Sequence, residues 1–200
     1  MDEKIVETRI EIGSPEWLQF RRSKIMASDA PIIMQVSPWC TPLQLYHKKK
    51  KGIEQPPNPA MQRGIELEPI ARQMFEEATG HFVWPECRLH RELAWLGATF
   101  DGINDDGIAV EIKCPNKKDH EQALKLQVPK KYHPQLQHQM VVAEITQMYY
   151  VSYSPNHEIP FIHFIVCRDP VYCYGMLEKE AAFHLCLEKN IEPSDEKIEI

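Results

Sequence analysis

Residues 99–115 read Thr-Phe-Asp-Gly-Ile-Asn-Asp-Asp-Gly-Ile-Ala-Val-Glu-Ile-Lys-Cys-Pro, and this stretch decides the fold. Two short runs flank Asp105-Asp106-Gly107, which suits a three-residue loop made of a turn followed by a glycine with φ > 0. The pattern predicts a β-hairpin. From Ile108 onward the side chains alternate: Ile108, Val110, Ile112 and Cys114 fall on a core face, and Ala109, Glu111 and Lys113 on the other. If Asn104 and Ile108 close the loop, a regular ladder sets Asp101 opposite Glu111 and Thr99 opposite Lys113. Like charges directly across an antiparallel pair destabilise it by roughly a few tenths to 1 kcal/mol. A divalent cation would compensate, and oxygen donors with no thiolate or imidazole beside them favour Mg²⁺ or Mn²⁺ over zinc. Lys113, on the same face, is suited to stabilise an attacking hydroxide or charge building on a phosphoryl oxygen. The plain alternative is a solvated hairpin with Glu111 and Lys113 exposed.

Working outward, the chain alternates helical and strand patterns. A helix is expected over 14–23, opened by a Ser-Pro-Glu start, with Trp17, Leu18 and Phe20 on its buried side and Arg21 and Arg22 near its end. Ser28 is suited to cap a second short helix, whose free N–H groups suit a phosphate. A helix from Thr41 ends in Lys48 to Lys51, either a solvated turn or a phosphate contact. Residues 53–59 form a proline-rich loop. A long helix over 60–79 carries the stripe Leu67, Ile70, Ala71, Met74 and Ala78, with Glu68 at its edge and Arg72 one turn on. Strands are expected over 81–89 and 95–102. After Pro115 come a short helix over 121–126 and a helix from Pro134 through Glu144 with Gln135 in its first turn. Strands over 147–154 and 160–166 follow, then a helix over 171–189 with Leu177, Ala181 and Leu185 on one stripe. The fold class is therefore α/β, a central mixed β-sheet flanked by helices. Residues 1–190 form a single domain and 191–200 an acidic tail.

Composition narrows the chemistry. The six cysteines include no Cys-x-x-Cys and the nine histidines no His-Glu-x-x-His, which argues against zinc, an iron-sulfur cluster and a disulfide framework. The net charge of −6 does not announce a nucleic-acid binder, but clustered carboxylates contribute to it and a local basic surface can coexist with it. Lys117, Lys118, Lys125, Lys130 and Lys131 place positive charge just after the hairpin. No apolar leader or membrane span is visible, so a cytoplasmic location is expected.

Five motifs in order carry a resemblance. Trp17-Leu-Gln-Phe-Arg21 with Ile25-Met-Ala-Ser28-Asp29, Gly64-Ile-Glu-Leu-Glu68-Pro-Ile-Ala-Arg72, Asp101-Gly102, Glu111-Ile-Lys113-Cys-Pro115 and Gln135-Leu-Gln-His-Gln-Met140 resemble the phage lambda-type exonucleases. These are the YqaJ-like viral recombinases of the PD-(D/E)xK nuclease superfamily, and the resemblance spans about residues 14–170. It implies a restriction-endonuclease-like core. It also implies Mg²⁺-dependent 5′-to-3′ hydrolysis of double-stranded DNA from an end, with Mn²⁺ as substitute. A 3′ single strand would be left for an annealing recombinase in phage-type homologous recombination, and the protein would form a homotrimeric ring in the bacterial host. In this resemblance Asp101, Glu111 and the Ile112 carbonyl bind metal, Lys113 assists the hydrolytic water, Glu68 holds it and Gln135 supports the group. Arg21, Ser28 and Thr99 match positions that bind the terminal 5′-phosphate. Two departures are Phe100, where the family has proline, and His138, where it has an aromatic such as tyrosine. An endonuclease of the same core, or a non-catalytic DNA-end or recombinase-binding module, are the alternatives.

Overall fold

A computed structural model describes residues 11–52, 56 and 58–194. Part of the proline-rich loop and residues 195–200 of the acidic tail lie outside the described residues. The elements run α1 (Pro15–Ser23), β1 (Ile25–Met26), α2 (Ala30–Ile33), α3 (Pro42–Lys51), α4 (Pro59–Thr79), β2 (Trp84–Leu89), β3 (Leu96–Ile103), β4 (Ala109–Lys113), α5 (Lys117–Ala123), α6 (His133–Val142), β5 (Gln147–Tyr153), β6 (Phe161–Cys167) and α7 (Pro170–Lys189).

The hairpin forms as its loop chemistry dictates. Gly107 sits at φ +78°, its N–H donates to the Asn104 carbonyl, and the Asn104 N–H donates to the Ile108 carbonyl at 3.1 Å. Asn104 Oδ1 accepts from the N–H groups of Asp106 and Ile108, which locks the loop. Gly102 is required for a different reason. A Cβ there would lie 2.6 Å from Val83 and 2.7 Å from Val110, so only hydrogen lets the strands approach.

The expected register holds at Ile103↔Ala109 and Gly102↔Val110, and then the ladder stops. Asp101 and Thr99 are therefore not paired with Glu111 and Lys113 as a regular hairpin would have them. The cause lies on the other edge of β3. Its pairing with β2 slips by one residue between Trp84↔Ile103 and Glu86↔Phe100, so Asp101 and Gly102 together oppose Pro85. This is a β-bulge, which kinks a strand and re-aims its side chains. Pro85 has no N–H to lose at that position. The Asp101 carboxylate turns inward and accepts the Ile112 N–H at 2.7 Å, replacing the missing ladder bond.

All strands join one mixed sheet. β2 covers one edge of β3 antiparallel, and the other edge takes β1, parallel, at Leu96 and Gly97, and β4 at the far end. β4 pairs parallel with β5, and β5 antiparallel with β6. A parallel β4–β5 pair needs a crossover, which α5 and α6 supply. Helices cover both faces. Ala109, Met148, Tyr150, Leu96 and Phe100 pack with α2, α6 and α7. Val110, Ile112 and Val151 pack against Ala71 and Phe75 of α4. The second face of β4 is thus buried as well, and Glu111 is 1% exposed.

Two helices are rotated from their expected faces. α4 buries Ala71 and Phe75 while Ile70 is 46% exposed, which turns Glu68 toward the core side. α7 buries Cys173, Met176, Glu180 and Phe183 and leaves Leu185 exposed. In α7 the carboxylate of Glu180 stands where an apolar stripe would put a hydrophobe, and in α4 the half-buried Glu68 flanks the buried face. The short helix after the hairpin starts at Lys117, earlier than expected, because Asn116 caps it through the Asp119 N–H. The two-residue β1 escapes any pattern rule. Among the described residues no helix is long and apolar enough to cross a membrane.

Candidate active site

Glu111 is the centre of the site. Buried carboxylates need partners, because an unpaired charge in low dielectric is costly. Its Oε1 accepts from Gln135 Nε2 at 2.6 Å and is also in contact with the Lys113 ammonium, while Oε2 accepts from Gln139 Nε2 at 2.5 Å. Lys113 in turn donates to Gln135 Oε1 at 3.1 Å. Gln135 and Gln139 are one helical turn apart on α6, so one face of that helix grips both oxygens of the carboxylate. Gln139 also donates to the Thr99 carbonyl at 3.2 Å, satisfying β3 in the interval where it has no strand neighbour on that edge. Its own Oε1 is buried with no hydrogen-bond partner among the described residues.

Asp101 and Glu68 complete an acidic focus. Burial first, then the charges of Glu111 and Glu68, push the Asp101 carboxyl well above the usual aspartate range, with Lys113 and the Ile112 N–H opposing. Glu68 is raised by burial, against the opposing pull of Arg72, whose Nη2 donates to Glu68 Oε1 at 2.7 Å. The Arg72–Glu68 contact is an i,i+4 ion pair along α4. Lys113 loses some basicity to burial, but Glu111 and Asp101 outweigh it and hold the ammonium protonated. Burial and then Glu68 push the neighbouring Cys114 thiol up to about 12.

The donor set fits a hard cation. Asp101, Glu111 and Glu68 present oxygen, two of them carboxyls whose mutual repulsion and burial oppose ionisation, which is the condition a divalent ion relieves. Among the described residues no group of three His, Cys, Asp or Glu is gathered closely enough to make a complete ligand set by itself. Both oxygens of Glu111 are engaged by amide and ammonium donors.

A second cluster adjoins the first through Thr99. Arg21 Nη2 donates to Ser28 Oγ at 3.0 Å, and the Arg21 guanidinium lies 4.4 Å from the Trp17 ring centroid. Trp17 Nε1 donates to Thr99 Oγ1 at 3.2 Å. Arg21 and Ser28 are thereby gathered with the sequence-distant Thr99 around one indole. Ser28 does not cap α2, whose N-cap is Asp29. Lys49, which is buried and not a solvated end of α3, braces the chain beside this cluster. Its ammonium binds Asp29 Oδ2 at 2.7 Å and the carbonyls of Arg21 and Lys24 at 2.9 and 2.8 Å. Arg22 reaches the Lys49 and Lys50 carbonyls and so caps α3 instead of serving its own helix.

His138 lies apart from the carboxylate cluster. It is fully buried, its Nδ1 is 2.8 Å from Glu180 Oε1 and its Nε2 2.9 Å from the Gly97 carbonyl, so it ties α6 to α7 and β3. Sequence reasoning missed Gln139, Trp17 and Tyr132, whose ring lies 5.1 Å from Lys113 Nζ. Gln139 was findable as the i+4 neighbour of Gln135. Trp17 reads from sequence as a core residue, and nothing local marks Tyr132.

Comparison with known proteins identifies the family and the fold. The YqaJ-like viral recombinase domain matches residues 16–146. The crystal structure of the alkaline exonuclease LHK-Exo from Laribacter hongkongensis is 31% identical, with a TM-score of 0.76 over 90% of this chain and 95% of that one. LHK-Exo in complex with dAMP gives 30% identity and a TM-score of 0.77 over the same shares. A phage-related exonuclease from Haemophilus somnus 129PT shares the fold at 15% identity, with a TM-score of 0.59 over 84% of this chain and 94% of that one. No curated protein matches significantly. The mixed sheet flanked by helices is the PD-(D/E)xK fold, and the chain belongs to the YqaJ-like viral recombinase family.

Proposed function

We propose that the protein is a divalent-metal-dependent nuclease that digests linear double-stranded DNA from the 5′ end and leaves a 3′ single strand. The observation that carries this reading is the buried Glu111, gripped by Lys113, Gln135 and Gln139, beside the raised carboxyls of Asp101 and Glu68. Asp101, Glu111 and the Ile112 carbonyl would hold Mg²⁺ or Mn²⁺. When bound, such an ion supplies an activated water and neutralises charge on the phosphodiester.

The chain's own groups do the rest. Lys113 stays protonated and offers its ammonium to charge developing on the phosphoryl oxygens. Glu68, with its carboxyl raised by burial, accepts a proton from the attacking water more readily than a solvated glutamate would. Gln135 and Gln139 fix the Glu111 carboxylate. Arg21, Ser28 and Thr99 receive a terminal 5′-phosphate, which favours exonuclease over internal cutting. LHK-Exo is an alkaline exonuclease, and its similarity over nearly the whole chain supports the same class here. In the same reading the protein works in the host cytoplasm as a homotrimeric ring and hands its product to a single-strand annealing recombinase.

The test is a linear duplex labelled at either end, incubated with and without Mg²⁺, beside a closed circle. Shortening of the 5′-terminated strand only with Mg²⁺ is expected, with the circle intact; cutting of the circle points to an endonuclease, and binding without turnover to a non-catalytic module. Lys113→Ala should lower cleavage about 10²- to 10³-fold or more while DNA binding persists. Arg21→Ala should remove the preference for phosphorylated over hydroxyl 5′ ends, measured by comparing the two substrates.

A further inference from the structure

A basic cleft lies outside the carboxylate cluster. Between the turn after α2 and α5 there is a space of about 380 Å³ whose lining includes Pro38, Lys118, Asp119, Gln122, Lys130 and Lys131. Next to Pro38, Trp39 is 69% exposed. The Lys131 ammonium lies 4.8 Å from the Trp39 ring centroid and 5.0 Å from that of Tyr132, and is fixed by Asp119 Oδ2 at 2.6 Å. The Tyr132 ring lies 5.1 Å from Lys113 Nζ on its way into the candidate active site. Trp39, Lys131, Tyr132 and Lys113 thus form one row of alternating rings and cations joining cleft and site.

This row is held in shape by an acid that neutralises Lys131, which leaves Lys118 and Lys130 as the exposed positive charge at the cleft. An indole that remains largely in water, in a chain of net charge −6, beside exposed lysines, has the chemistry of a stacking platform with a phosphate rail. A paired duplex hides its base faces inside the stack and would use only the lysines. Unpaired bases can use the ring.

We propose that this cleft binds an unpaired stretch of DNA, with a base stacked on Trp39 and phosphates on Lys118 and Lys130, in continuity with the candidate active site through Tyr132. The proposal rests on the DNA-acting reading above and adds a strand-binding surface to it.

The full chain in EDTA is titrated into fluorescein-labelled oligothymidylate and into a blunt duplex, followed by anisotropy at two salt concentrations. Trp39→Ala should weaken oligothymidylate binding about tenfold, Trp39→Phe should retain most of it, and the duplex should be affected less. Lys118→Glu with Lys130→Glu should weaken binding and flatten its salt dependence. Circular dichroism establishes that the variants fold. Unchanged oligothymidylate affinity in both sets, equal losses for duplex and single strand on Trp39→Ala, or equally effective competition by polyglutamate would overturn the proposal. Cleavage of the labelled duplex by the unaltered protein is scored separately. Cleavage with cleft-independent binding sinks only this inference, whereas cleft-dependent binding with no turnover in Mg²⁺ or Mn²⁺ sinks the nuclease reading and leaves the cleft standing.

Discussion

Two glutamates are buried against α6, and they are buried differently. Glu180 of α7 meets one partner, His138, in a region where both side chains are fully enclosed. Glu111 of β4 meets Lys113, Gln135 and Gln139, and beyond them stand Asp101 and Glu68, two further carboxyls. In the first arrangement burial lowers the His138 pKa, but Glu180 and the Gly97 carbonyl outweigh it and raise the imidazole above its usual range, while Glu180 Oε2 stays buried with no hydrogen-bond partner among the described residues. The second leaves like charges facing one another around a half-open Lys113. The same helix thus presents an imidazole to the core on one face and two amides to an acidic focus on the other. Burial of charge alone does not mark a candidate site; several carboxyls that raise one another's pKa around fewer cations are the pattern that does.

Substitutions can break this contrast. His138→Ala removes the one hydrogen-bond partner that buried Glu180 has among the described residues and should cost about 3 to 5 kcal/mol of stability, read by denaturant unfolding, because the remaining charge is left uncompensated. An equal loss in a Glu180→Gln, His138→Gln double variant would show that geometry, not charge, is what the pair supplies. Gln139→Ala strips one donor from Glu111 and one from the Thr99 carbonyl and should cost about 1 to 3 kcal/mol, while Mg²⁺-dependent turnover falls by more than stability explains.

Asp101→Asn should do the opposite in metal-free protein and raise the melting temperature, since it removes the repulsion behind the raised carboxyl. The sign follows from linkage. The folded-state pKa of Asp101 lies above its unfolded value, so its stabilising contribution is complete below the unfolded value and is lost as pH rises through the folded one. Metal-free wild type should therefore gain stability on acidification through that interval, and the asparagine variant should gain less.

Most of the architecture was legible from period and turn chemistry. The Asp105-Asp106-Gly107 loop, the register at Gly102↔Val110 and the alternation of strand and helix all follow from the sequence. The departures share a physical origin. A regular ladder was expected to bring Asp101 opposite Glu111, but the bulge opposite Pro85 ends that ladder and turns Asp101 onto the Ile112 N–H. The apolar stripe on α7 shifts because Glu180 occupies a buried-face position, which hydrophobic patterning scores as solvent, and that on α4 shifts to Ala71 and Phe75. The gathering of Arg21, Ser28 and Thr99 depends on Trp17 and on the buried Lys49, both long-range contacts with no local signature. Local rules find elements; polar side chains that act across the core are found only when the chain is folded.

The central claim of the proposal is that Asp101 and Glu111, which repel one another in the metal-free protein, together hold a hard cation. Titration of Mn²⁺ into metal-free protein by calorimetry tests it most directly. The account predicts saturable uptake that Asp101→Asn abolishes or strongly weakens while the variant stays folded. Absence of uptake by the wild type, or uptake unaffected by Asp101→Asn, would contradict it.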